Sequence, residues 1–131
     1  MNVGENGGTA VIRNCVFSGN GLMVGNESSM RSFSTAASCA DAASHCWEDG
    51  AQLTDGVNGN IVANGASPRF ASVTAGDYSP RNSSPFVNRG AFMPWMDGAT
   101  DMAGNSRIVG DAVDMGCYEC QLHGSFTISV R

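Results

Sequence analysis

Around Asn14 the chain changes direction after a single residue. Two short β-prone runs, 9–13 (Thr-Ala-Val-Ile-Arg) and 15–17 (Cys-Val-Phe), flank that asparagine, and a Ser18-Gly19-Asn20 turn ends the second. A hairpin prefers a two-residue loop such as Asn-Gly. A lone asparagine instead suits a corner, because its short polar side chain bonds local backbone and tolerates unusual φ. Alternation puts Ala10 and Ile12 on one face, and Cys15 and Phe17 on one face. A short strand, a one-residue corner and another short strand describe one coil of a solenoid. Such a coil cannot bury its inner face without neighbours stacked on it. Asn14 and Asn20 are the expected corners.

Composition agrees with a chain made of turns and short strands. Gly occurs 17 times, Lys is absent, and charged residues make up only 15% of the 131 residues. With apolar residues at 42%, wholesale disorder is a poor description. The net charge of −5 disfavours nucleic acid and anionic membrane surfaces as partners. No stretch reaches the length of a membrane span, and no signal peptide is visible after Met1.

Two domains or regions are expected: 1–45, with terminal coil or coils and a Ser/Ala-rich loop, and 46–131, the C-terminal end. Within 26–45 periodicity is lost, and a short helix over 36–43 competes with a loop. Farther on, turn dipeptides Asp55-Gly56, Asn58-Gly59 and Asn64-Gly65 punctuate the chain. Residues 21–25 offer the start of a next coil, Ile61-Val62 reads as a short strand, Asp77-Tyr78 starts a strand after a Gly turn, and Ile108-Val109 and Val113 with Met115 read as short strands. The tail 125–130 alternates Phe126, Ile128, Val130 against Ser125, Thr127, Ser129, and is the clearest strand pattern in the chain.

From residue 46 onward a set of blocks appears in order: Asn60-Ile61-Val62, Ser67-Pro68-Arg69-Phe70, Ala75-Gly76-Asp77-Tyr78 and Ser84-Pro85-Phe86-Val87-Asn88-Arg89-Gly90. These are followed by Thr100-Asp101-Met102-Ala103-Gly104-Asn105-Ser106-Arg107-Ile108-Val109-Gly110 and Val113-Asp114-Met115-Gly116-Cys117-Tyr118-Glu119. The series resembles the C-terminal region of bacterial right-handed parallel β-helix repeat proteins of the choice-of-anchor Q type. Asn88 stands where that family carries Asp, and Cys117 where it carries Ala.

The resemblance implies an all-β fold: a short right-handed parallel β-helix (solenoid) with a loop-rich C-terminal cap. It implies a non-catalytic structural segment of a secreted or cell-surface protein, facing polysaccharide or cell-surface material. Upstream coils or self-association would cover its open end. A fragment of a polysaccharide lyase or glycosidase is the enzymatic alternative, and a carbohydrate-binding module the third reading.

Individual residues carry weaker signals. Trp47, Trp95 and Tyr78 are candidates for stacking on sugar rings, although packing is the ordinary fate of Trp95. Asp97, Asp101 and Asn105 offer oxygen ligands for Ca²⁺, but no EF-hand or nonapeptide repeat accompanies them, and no cofactor is otherwise indicated. Asp101 is expected to form an Asx turn or cap, and Arg107 to anchor carbonyls or the carboxylate of Asp101 or Asp114. No catalytic residue is assigned. Ser38, Asp41 and His45 are merely near in sequence, with no strained serine elbow. Five cysteines leave at least one thiol unpaired within the chain. The candidate disulfide residues are Cys39, Cys46, Cys117 and Cys120. A zinc site of Cys46, Cys117, Cys120 and a histidine lacks the paired knuckles of structural zinc.

Overall fold

A computed structural model describes residues 11–19, 42–50 and 53–121. Among them the architecture is all-β, with no α-helix. The strands are β1 (Ile12–Arg13), β2 (Val16–Phe17), β3 (Ala43–Ser44), β4 (Trp47–Glu48), β5 (Ile61–Val62), β6 (Phe70–Ser72) and β7 (Asp77–Pro80). The sheets are small and do not close into a solenoid among the described residues.

The first five strands pair in parallel. β1 lies on β3 with Ile12 opposite Ala43, and β2 lies on β4 with Val16 opposite Trp47. β4 lies in turn on β5, with Trp47 opposite Ile61. The corner expected at Asn14 is present: its φ is 52°, and His45, one rung on, turns at φ 50°. Because β1–β2 and β3–β4 turn at the same point, the corner propagates from rung to rung. Asn14 N–H donates to the Ser44 carbonyl and Trp47 N–H to the Cys15 carbonyl, which carries the ladder across the bend.

Two asparagine amides replace backbone where the ladder breaks. Asn60 is buried; its Nδ2 donates to the Ala43 carbonyl at 3.0 Å and its Oδ1 accepts from Cys46 N–H at 3.0 Å. It therefore satisfies both backbone groups around the His45 corner. Asn14 does the same for a distant loop, donating to the Ala91 carbonyl at 2.8 Å and accepting from Ala91 N–H at 2.7 Å.

The core is a short column. Ala43, Cys46 and Leu53 pack with Ile12, Cys15, Phe17 and Val62. Trp47, Ala63, Phe86 and Met115 form the adjoining cluster. Phe86 meets Trp47 edge-on at 5.7 Å between centroids, and Phe70 joins them through Phe86 at 5.9 Å. Such aromatic contacts add to area burial.

β6 and β7 form an antiparallel pair, which includes the strand expected to begin at Asp77-Tyr78. Among the described residues from Arg81 to Gln121 there is almost no ladder. One isolated bridge, Thr100 to Ser106, is the exception. The strands expected at 108–109 and 113–115 do not form: Asp114 bonds Glu119 through its N–H and Arg107 through its carbonyl, while the Val113 carbonyl and Met115 N–H meet isolated backbone partners at Gly90 and Phe86. Asn20, the segments 21–25 and 36–41 and the tail 125–130 lie outside the described residues.

Candidate functional site

Two features dominate the chemistry of the described residues: a buried charged cluster under the C-terminal loops, and an apolar groove between β2 and the β6–β7 hairpin.

Arg107 is the centre of the first. It is buried, and its Nη1 ion-pairs with the Glu119 carboxylate, which is also buried. Nη2 donates to the carbonyls of Asp114 and Gly116, at 3.1 and 2.8 Å. The anchoring role expected for Arg107 holds, with Glu119 as the carboxylate and Asp114 contributing its carbonyl. A planar guanidinium suits this job, because it bonds several fixed acceptors at once. The Asp114 carboxylate accepts from Asn88 N–H and Cys120 N–H, both at 2.7 Å. Asn88 takes φ 55°, a conformation that asparagine tolerates well. Asp101 forms the expected turn: Oδ1 accepts from Ala103 and Asn105 N–H, and Oδ2 from Glu119 N–H.

These environments separate the two acids. Burial pushes the Glu119 carboxyl up to about 7; the nearby Asp114 charge adds to the rise, while a backbone N–H bond and Arg107 oppose it. Burial works against ionisation of Asp101 too. There the backbone donors of Glu119, Asn105 and Ala103 outweigh it and hold the carboxyl below the ordinary range. Apart from Glu119 Oε1, which is buried without a hydrogen-bond partner, the carboxylate oxygens and guanidinium nitrogens named above bond other parts of the chain, so the cluster works as a clasp.

The groove has a volume of about 750 Å³ and is bordered by Cys15, Phe17, Phe70, Tyr78, Phe86 and Tyr118 among others. Tyr78 is half exposed and packs edge-on against Phe70 at 5.5 Å.

The candidate stacking residues are not brought together. Trp47 is fully buried and offers no ring face to a sugar, a correction that follows from its position in the central strand β4. Trp95, for which packing is the ordinary fate, is instead 62% exposed. It borders a separate hollow of about 350 Å³ with Met93, Met102 and Arg107. Tyr78 alone borders the main groove.

The candidate calcium residues do not make a cation cage. Asp97 is exposed, while both Asp101 oxygens face backbone N–H groups, and Asn105 serves Asp101 as a donor. Among the described residues no group of three or more His, Cys, Asp or Glu is gathered for a metal. Of the expected disulfide residues, Cys46, Cys117 and Cys120 are free thiols, and Cys39 lies outside the described residues. Ser38 and Asp41 lie outside them as well. His45 sits beneath Gly59, so close that a Cβ there would come within 2.8 Å of the imidazole.

Sequence reasoning left Cys15 out of the cysteine pairings. The signal that could have found it is an internal repeat: Ile12-Arg13-Asn14-Cys15-Val16-Phe17-Ser18-Gly19 against Ala43-Ser44-His45-Cys46-Trp47-Glu48-Asp49-Gly50. The strands align in that register. Ser18 and Gly19 both donate to the Asp49 carboxylate, so the repeat is tied at its far end too.

No family model, no curated protein and no solved structure matches the chain.

Proposed function

We propose that this chain is a non-catalytic structural segment that closes the C-terminal end of a right-handed parallel β-helix in a secreted or cell-surface protein. The observation that carries the reading is at β5. In a parallel ladder successive N–H groups point to opposite edges. Ile61 and Ala63 N–H bond the β4 side, at the carbonyls of Cys46 and Glu48. The outward N–H of Val62 is taken by the Asp55 carboxylate at 3.0 Å. A further rung would need that donor. A charged side chain on an edge is a recognised way to stop strand addition. The Arg107 clasp then folds the loops of 81–121 against the column, with Met115 N–H donating to the Phe86 carbonyl and Gly116 N–H to the Asn14 carbonyl.

The test is incubation of the purified chain with pectin and alginate, with and without calcium, followed by reducing-end and unsaturated-product assays. Intact polymers are expected. Depolymerisation would overturn the reading in favour of a lyase or glycosidase fragment. Exposed Trp95 and half-exposed Tyr78 support carbohydrate contact as a second reading. In that case sugar titration would quench Trp95 fluorescence, and the quench would vanish in Trp95→Phe.

A further inference from the structure

Cys15 and Cys46 occupy equivalent positions on successive rungs. Their neighbours fix the register on both sides: Ile12 faces Ala43 before the corner, and Val16 faces Trp47 after it. The backbone between them is bonded rung to rung, through Asn14 N–H to the Ser44 carbonyl and Trp47 N–H to the Cys15 carbonyl. Paired strands lie about 4.8 Å apart. A disulfide spans Cα separations of about 4.4–6.8 Å. The two thiols make equivalent bonds one rung apart, Cys15 Sγ donating to the Arg13 carbonyl at 3.2 Å and Cys46 Sγ to the Ser44 carbonyl at 3.3 Å. Cys46 is buried in the core cluster against which Cys15 packs, while Cys15 is only partly buried and borders the apolar groove. One sulfur is thus reachable from outside, and the second lies directly behind it.

We propose that Cys15 and Cys46 form a disulfide-forming site that accepts an external low-molecular-weight disulfide as oxidant and staples two successive rungs at their shared corner. The Cys15 thiolate attacks one sulfur of the external disulfide, whose S–S bond breaks and releases one thiol. Cys46 loses its proton to solvent and attacks the Cys15 sulfur. The mixed disulfide breaks, a second thiol leaves, and the Cys15–Cys46 bond remains. The protein dithiol is oxidised by two electrons, and the external disulfide is reduced to two thiols.

The order of events follows from the pair. The neighbouring Cys46 thiol is the largest influence on Cys15 and brings its thiol from 9.0 down to about 7, with burial opposing. The Cys15 thiol in turn pushes the Cys46 thiol far up, and burial adds to this. Cys15 is therefore the first nucleophile. Once it is in the mixed disulfide it no longer pushes the Cys46 thiol up, so the second sulfur is released to react. This site does not depend on the capping role proposed for the chain.

The experiment uses the full chain, reduced and then held in oxidised glutathione across pH 5.5 to 9. Free thiols are trapped by alkylation, and peptides are mapped without reduction. A Cys15–Cys46 linked peptide two hydrogens lighter than the reduced pair is expected, with the initial rate rising through about pH 7. The oxidised chain should unfold with a folded-to-unfolded ratio raised roughly a hundredfold over the reduced chain. In Cys46→Ser the expected product is a stable glutathione adduct on Cys15, which also reports on the site if the oxidised wild type proves hard to digest. Linkage of Cys15 to Cys39 or Cys117 instead, or both thiols remaining fully alkylatable after oxidant, overturns the proposal.

Discussion

The parallel rungs at 12–63 and the loops at 81–121 are built from the same turn-rich sequence, yet different bonds hold them. In the rungs, backbone meets backbone: five two-residue strands stack in register, and side chains fill the space behind them. In the loops, backbone meets carboxylate and guanidinium, with Arg107, Asp114, Glu119 and Asp101 taking N–H and carbonyl groups that no strand claims. The difference shows what a short, glycine-rich chain needs once stacking stops. Buried backbone polar groups must still be bonded. Where there is no next rung, ionised side chains do it, and their own burial then becomes a cost that each partner must offset.

The largest effects should come from breaking each region at its centre. Arg107→Met leaves the buried Glu119 carboxylate without its cation and the Asp114 and Gly116 carbonyls without their donor, and is expected to destabilise by about 3–5 kcal/mol. Arg107 has its counterpart on the rung side: Trp47→Ala empties the middle of the column, with an expected loss of about 3–5 kcal/mol. Urea titrations would measure both, by Trp fluorescence for the first and circular dichroism for the second. Hydrogen exchange would show whether Arg107→Met loosens Cys120 and Asn88 before Ile61; uniform loosening would mean the two regions form one cooperative unit. Trp47→Phe should cost far less than Trp47→Ala, because the indole Nε1 is buried without a hydrogen-bond partner.

A middle-sized effect should separate corner from ladder. Asn60→Ala strips the partners from Cys46 N–H and the Ala43 carbonyl, and an expected loss of about 2 kcal/mol follows from leaving such groups unsatisfied. A loss near zero would mean the His45 corner holds by stacking alone.

Acidity should act on the clasp from both sides. Glu119 has its carboxyl raised in the folded chain to about 7, so the stability it contributes is full below its unfolded value of 4.5 and is lost as pH climbs through 7. Asp101 is lowered, so its contribution is present above 3.8 and is lost as pH falls below that. Melting temperature should therefore peak on the acidic side of neutrality. In Glu119→Gln the decline towards pH 7 should flatten, while the acid limb stays.

The smallest effect should be at the edge. Asp55→Ala uncovers the Val62 N–H and is expected to cost about 1 kcal/mol. Light scattering should then show stronger concentration-dependent association than in the parent chain. A strictly monomeric variant with unchanged Val62 exchange would remove Asp55 from the argument about how stacking ends.

Much of the rung region was legible in the sequence, since a corner needs a local signal and Asn14 supplies one. Ile61-Val62 and Asp77-Tyr78 were legible for the same reason, each following turn formers. The stacking of Ile12 on Ala43 was harder to see. Its second corner falls on His45, a residue with little turn preference of its own, and the intervening chain breaks the periodicity. Trp47 read as a candidate sugar platform because nothing local marks β4 as the middle rung. In the loops, Asp101 and Arg107 carried their roles in their side-chain chemistry. The partner of Arg107 did not, because Glu119 reaches it only through a fold with no regular period. The apparent strands at 108–109 and 113–115 failed for the related reason that their backbone finds no ladder: Asp114 is held by Arg107 and Glu119, and Met115 packs beside Trp47 and Phe86.

The amide of Asn14 joins the first rung to Ala91, far along the chain, on both its donor and its acceptor side. During synthesis that first corner must wait, its polar groups exposed to water, until the ribosome has delivered the segment that completes it. A chain halted before that segment emerges would carry every strand from β1 to β7 and still lack the bond that locks its beginning in place.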